Sequence, residues 1–245
     1  MKSNLLILLF IGTIIGSYTK VYPVTIICVV AMIYLAKKQI GTYYRKDLFG
    51  INNLNSTYDL DNFPNEYAVL NLATTGSDCT TARIIEIGII RYSGGVVVDK
   101  FSQLINPECS IPAASTKING IITKMVKKKP TVKVVIPEVY RRLNGQIIVG
   151  YNVSFDTGFL NIAFGRADLH IDEMVQIDVK ELAKQTISSD DIPDTRFETV
   201  KDHFGISVDA ADHTTIVNCD VINEIFLHCM SIRNNTDLKS PESVE

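Results

Sequence analysis

The stretch Glu66-Tyr67-Ala68-Val69-Leu70-Asn71-Leu72-Ala73-Thr74-Thr75-Gly76 decides how the rest of the chain is read. Tyr67 to Leu72 is a short apolar run, as in a buried strand, and Thr74-Thr75-Gly76 ends it in a tight turn. A second strand comes next, over Arg83-Ile84-Ile85-Glu86-Ile87-Gly88-Ile89-Ile90-Arg91-Tyr92, and Ser93-Gly94-Gly95 reads as a hairpin turn. The third strand, Val96 to Ile105, ends at Asn106-Pro107. The chain therefore opens its globular part with three antiparallel strands.

Downstream the pattern changes to alternating helices and strands. A short helical stretch opens at Ile111-Pro112-Ala113, and a helix is predicted from Thr131 to Leu143 with Pro137 inside it. Gln146 to Gly150 and Met174 to Val179 read as strands, separated by a helix through Phe155, Phe159, Leu160 and Phe164 for which Asn152 or Ser154 offers an N-cap. Further helices are expected from Lys180, over Thr195 to Phe204, and from Asp212 or His213 onward. This order predicts an α/β fold: a mixed sheet flanked by helices.

Several ordered features resemble the DEDDh 3′-5′ exonucleases, the family of the proofreading subunit of bacterial DNA polymerase III. They are Thr74-Thr75-Gly76, Ile84-Ile85-Glu86-Ile87-Gly88, Ile105-Asn106-Pro107, Ile111-Pro112, Ile118-Asn119-Gly120-Ile121, Asn152-x-Ser154-Phe155-Asp156-x-Gly158-Phe159-Leu160, and His213. The resemblance spans residues 66–230 and implies a ribonuclease-H-like fold with a five-stranded mixed sheet. It also implies a site in which four carboxylates hold two divalent metals and a His acts as general base. Carried over residue by residue, the acidic positions fall on Asn71, Ala73, Asp156 and Asn218, and the base falls on His213. Thr74, Thr75, Gly76 and Phe159 fall on substrate-binding positions.

Asp156 and His213 are thus the remnants of the family site. Two dications ~4 Å apart repel by roughly 17 kcal/mol at an effective dielectric near 20. Four carboxylates offset that repulsion, whereas Asp156 alone does not, and Asn71 and Asn218 add only carbonyl dipoles. Asp156 is expected to bind metal weakly or not at all. No cofactor is expected, with Mg²⁺ or Mn²⁺ relevant only to residual activity. Asp220 lies two residues past Asn218, on another face of a helix, and does not replace it.

The first part of the chain has a different character. Leu5 to Gly16 and Val21 to Ala36 are apolar runs separated by Tyr18-Thr19-Lys20 and closed by Lys37-Lys38. They run 12 and 16 residues, or roughly 18 and 24 Å as helix, against a bilayer core of ~30 Å. Snorkelling of Lys2 and Lys37 lengthens both. The reading adopted is a membrane hairpin of two short transmembrane helices over residues 1–38, with the basic flanks placing the globular part on the cytoplasmic side. A cleaved signal peptide with a single span after it, and one long tilted or interfacial helix, stay open as alternatives. Residues 39–64 read as a polar linker, 65–231 as the exonuclease-like domain and 232–245 as a polar tail.

The chain of 245 residues has a formal charge of −3, so bulk electrostatics do not mark a nucleic-acid binder. Its five Cys include no C-x-x-C pair, which argues against a zinc site or a disulfide framework. One local excess of positive charge stands out: Lys124, Lys127, Lys128, Lys129, Lys133, Arg141 and Arg142 against Glu138. The expected partners are membrane lipids, nucleic-acid 3′ ends or nucleotides, and a protein at the membrane. The expected role is non-catalytic, with a weakly active metal-dependent 3′-5′ exonuclease as the alternative.

Overall fold

Six strands form one mixed sheet in the order β1-β6-β5-β2-β3-β4. The computed structural model describes residues 55–171, 173–209 and 214–234. All of them belong to a unit that begins at Asn53. The proposed membrane hairpin, most of the linker, His213 and the polar tail beyond residue 234 lie outside the described residues. Among the described residues no helix is long and apolar enough to cross a membrane.

The strands are β1 (Asn55–Thr57), β2 (Glu66–Thr74), β3 (Ile84–Ser93), β4 (Val96–Leu104), β5 (Ile147–Gly150) and β6 (Met174–Asp178). The helices are α1 (Ala113–Asn119), α2 (Thr123–Val126), α3 (Val132–Leu143), α4 (Val153–Arg166), α5 (Val179–Thr186), α6 (Phe197–His203) and α7 (Thr215–Asn234). Strands β2, β3 and β4 form the antiparallel meander, while β5 joins β2 in parallel and β6 joins β5 in parallel. The five expected strands are therefore β2 to β6. A sixth, β1, adds to the edge by pairing in parallel with β6, and it comes from the stretch read as linker. Its three residues are polar and too few to show a period, so only pairing with β6 makes them a strand.

Alternation along β2 and β3 sends side chains to two cores. On one face Tyr67, Val69, Ile90 and Tyr92 pack with Leu182 of α5, Val200 of α6, and Ile222 and Phe226 of α7. On the other, Ala68, Leu70, Leu72, Ile87 and Ile89 pack with Ile136 and Val139 of α3 and with Phe159 and Leu160 of α4. A sheet covered on both faces needs continuous apolar runs rather than strict alternation, which is what β2 and β3 carry.

Two close contacts fix α7 against the sheet. A Cβ on Gly88 would lie 2.6 Å from the Thr215 carbonyl carbon, so only glycine lets the start of α7 come this close to β3. The Glu86 carboxylate accepts the Thr215 N–H at 3.0 Å, filling an orphan donor of the first helical turn. Cys219, one turn on, donates its thiol to the Gly88 carbonyl at 3.3 Å. Glu86 is thus a buried structural acid that sets where Asn218 sits.

The helix after β5 begins differently from the N-cap expected. Asn152 adopts φ 58 and makes no side-chain cap bond. Its backbone N–H donates to Asp178 Oδ1 at 3.0 Å, and the same oxygen accepts the Lys180 N–H at 3.0 Å. One carboxylate therefore holds the turn into α4 and caps α5, a role set by two neighbouring parallel strands and invisible in local sequence.

A candidate active site built on two asparagines

The C-terminal end of β2, α1 and the first turns of α7 enclose a cleft of about 610 Å³. Asn71, Ala73, Thr74 and Gly76 line it from the sheet, and Asn218 lines it from α7. Asn71 and Ala73 share a face of β2, since side chains two apart on a strand point the same way. Asn218 Nδ2 donates to Asn71 Oδ1 at 3.2 Å. The two amides therefore satisfy each other where the family resemblance placed two metal-binding carboxylates.

Asp156 is buried behind the strand end and is not part of the cleft wall. It is 2% exposed, and its Oδ1 accepts the Leu72 N–H at 2.8 Å. Strand β5 pairs with β2 only across Tyr67, Ala68 and Val69, so the Leu72 amide lies past the end of the ladder. Asp156 takes the place of the missing strand partner, and a buried N–H left without an acceptor would be costly. Burial raises the Asp156 carboxyl from 3.8 to about 8, against the lowering effect of the Leu72 hydrogen bond, with Asp178 adding a smaller upward push. At neutral pH the neutral acid is the favoured form.

A pair of divalent metals does not fit this donor set. Hard cations need anionic oxygens, and the four family positions hold two mutually bonded amides, a methyl group and one buried acid. Among the described residues no group of three or more His, Cys, Asp or Glu side chains is gathered closely enough to hold a metal.

The remaining site residues divide. Thr74 and Gly76 line the cleft, and Thr74 Oγ1 donates to the Gly76 carbonyl at 2.7 Å. Thr75 is turned to structural use. Its Oγ1 accepts the Arg83 N–H at 2.9 Å, and its carbonyl accepts Ser115 Oγ at 2.7 Å. Phe159, expected at the cleft, lies instead in the core at 4% exposure. The helical turn that points Asp156 at Leu72 points Phe159 into the sheet, and Phe155, one turn earlier, lines the cleft.

Sequence reasoning missed other parts of the wall. Ser115 and Ile118 come from α1, Tyr151 from the turn before α4, and Phe197 and Glu198 from α6. Tyr151 donates its hydroxyl to the Thr195 carbonyl at 2.8 Å and packs edge-on against Phe197. Ile118 is 82% exposed, an unusual position for a large apolar side chain at a cleft mouth. Its place at the end of a short helix, just before Asn119-Gly120, was the one signal the sequence offered.

Comparison with known proteins gives a consistent picture. Residues 72–226 match the family model RNase T, described as exonuclease. A PolC-type DNA polymerase III of Thermotoga petrophila is 34% identical over 166 residues, covering 63% of this chain and 12% of the polymerase. The chain spans at most 21% of the length of the first curated relatives it matches. Among solved structures, exonuclease X in complex with 5′-overhanging duplex DNA superposes with a TM-score of 0.52 at 21% identity, over 69% of this chain and 92% of that one. Escherichia coli exonuclease I in complex with a dT13 oligonucleotide gives a TM-score of 0.57 at 16% identity, over 70% and 43%.

Proposed function

The chain belongs to the RNase T exonuclease family, of DEDDh type with a ribonuclease-H-like fold, and from that premise we propose that its domain holds nucleic-acid 3′ ends or nucleotides without cleaving them. One observation carries the reading: the Asn71–Asn218 amide pair, closed at 3.2 Å, stands where a metal-dependent member needs two carboxylates. Without a metal pair nothing stabilises the attacking and leaving oxygens of a phosphodiester. The cleft itself remains, walled by Thr74, Ile118 and two aromatic rings, Phe155 and Phe197. Apolar and aromatic walls of this kind suit a nucleobase, and stacking is indifferent to its identity. DNA in the two solved neighbours supports a polynucleotide as the ligand.

The N-terminal apolar runs support a membrane anchor with the domain on the cytoplasmic side, and hence contact with lipid headgroups. Anchoring brings the domain to a surface where a protein partner also has access to it. The rival reading is a slow exonuclease using a single Mg²⁺ or Mn²⁺ with Asp156 and His213. It requires an ionised Asp156, which burial opposes.

A 5′-labelled oligonucleotide separates the two. The full-length protein in neutral detergent is expected to bind a strand with a free 3′ hydroxyl more tightly than the same strand carrying a bulky 3′ block. No shortening is expected in about 10 mM Mn²⁺ or Mg²⁺, ample for a two-metal nuclease. Metal-dependent shortening that Asp156→Ala abolishes would establish the enzyme and end the binding-only reading.

A further inference from the structure

A second cleft, of about 300 Å³, opens on the face of the sheet that α3 and α4 cover. Arg83 from just before β3, Lys133 from the first turn of α3 and Arg166 from the last turn of α4 converge on it, against one carboxylate, Glu108. Ile136 and Ala163 form its floor. The three cations come from three elements distant in sequence, so local composition does not explain their meeting.

Several other cations of the domain have carboxylate partners. Arg142 pairs with Asp99 and Glu138 and lies over the Phe101 ring, and Arg141 pairs with Glu138. Those two arginines therefore drop out of the basic stretch read from sequence. Lys100 pairs with Asp220, and Lys184 with Glu181. Arg83, Lys133 and Arg166 appear in no ion pair among the described residues, and Arg83 is steadied only by the Thr81 and Ala82 carbonyls. Lys133 also sits in the first turn of α3, which has no acidic residue, where a helix dipole disfavours a cation. Three like charges around one concavity raise each other's energy unless an anion joins them.

The cleft continues into more positive charge. Asn106 lines it, and Asn106 Nδ2 donates to the Lys127 carbonyl at 3.1 Å while its N–H donates to the Pro130 carbonyl at 2.9 Å. The exposed run Lys127-Lys128-Lys129 is thereby tied along one rim. A line of cations longer than one phosphate needs a ligand with regularly spaced negative charge. The two clefts adjoin along β2 and β3: Thr74, in the wall of the first, pairs in register with Ile84, in the wall of the second.

We propose that the Arg83–Lys133–Arg166 cleft, with the Lys127–Lys129 rim, binds the phosphodiester backbone of a single-stranded nucleic acid. The contacts are to phosphates, so they carry no base preference and confer strong salt dependence. This inference stands apart from the end-binding reading, because a backbone site needs no strand end.

The test uses a fluorescent circular single strand of dT, which has no 3′ end, and the full-length protein in neutral detergent. Anisotropy measured against salt gives affinity and slope. Lys133→Gln/Arg166→Gln is expected to weaken binding about tenfold or more and to make the log–log salt slope shallower by roughly 1.4, at ~0.7 for each phosphate no longer neutralised. Lys133→Arg/Arg166→Lys is expected to bind as the parent does, and Lys184→Gln, at a paired lysine, to change nothing. Circular DNA that does not bind the parent, or that binds the double variant with the parent's affinity and slope, overturns the proposal. So does displacement of the circle by soluble dihexanoyl phosphatidylserine at lower concentration than by unlabelled circle, which would reassign the cleft to lipid headgroups. Loss of end preference with circle binding intact would sink the end-binding reading alone.

Discussion

Replacing Asp156 with Asn removes a buried proton-binding group and keeps an oxygen able to accept the Leu72 N–H. The folded carboxyl titrates at about 8 against an ordinary value of 3.8, so the fold favours its protonated form. Because the folded value is raised, the contribution of Asp156 to stability is complete below pH ~4 and is lost as the pH climbs to about 8. The slope is about 1.4 kcal/mol per pH unit, which sums to at most roughly 6 kcal/mol across the window. That is a large fraction of the ~5–15 kcal/mol that holds a typical domain together. Urea midpoints of the parent and Asp156→Asn, taken from about pH 4.5 to about pH 8.5 to match the linkage window, give the difference directly. Groups common to both proteins cancel. Asn introduces an NH₂ that must find a partner, so the variant starts less stable at low pH and gains steadily on the parent as pH rises. Curves that stay parallel over the whole range would refute the reasoning, since they would mean a carboxylate already ionised near pH ~4, as a metal ligand would be.

Three further changes test how the site is held. Gly88→Ala puts a methyl 2.6 Å from the Thr215 backbone, so α7 must shift, and a loss of about 1–3 kcal/mol in chemical denaturation is expected. Glu86→Ala removes the acceptor of the Thr215 N–H and should cost a similar ~1–3 kcal/mol, while Glu86→Gln, which keeps an oxygen there, should cost less. Tyr67→Phe deletes the buried hydroxyl that donates to Asn223 Oδ1 at 2.8 Å and should lower stability by about 1–2 kcal/mol without altering the first cleft.

The sheet is readable because β2 and β3 are apolar runs bounded by turn residues, and the later strands and helices follow from the alternating pattern downstream, an order that the resembling family shares. The substitutions at Asn71, Ala73 and Asn218 were likewise plain from the chain. Their consequence was not, because the hydrogen bond between Asn71 and Asn218 joins residues far apart in sequence. Phe155 and Phe159 lie one turn apart on an apolar helix, and only the anchoring of Asp156 at Leu72 sets which ring faces the cleft. The seven-cation stretch is visible as charge, and the Arg141–Glu138 pair is local in sequence, yet the engagement of Arg142 depends on Asp99 and Phe101 of β4. The convergence of Arg83 and Arg166 on Lys133 had no sequence signal at all.

Calorimetric titration of Mn²⁺ into the full-length protein tests most directly whether this pocket lacks the negative oxygens to keep two dications together. The expected result is no saturable two-site uptake in the parent, with two-site binding appearing when Asn71→Asp, Ala73→Glu and Asn218→Asp are combined. Two Mn²⁺ ions bound tightly per chain by the unaltered protein would contradict it.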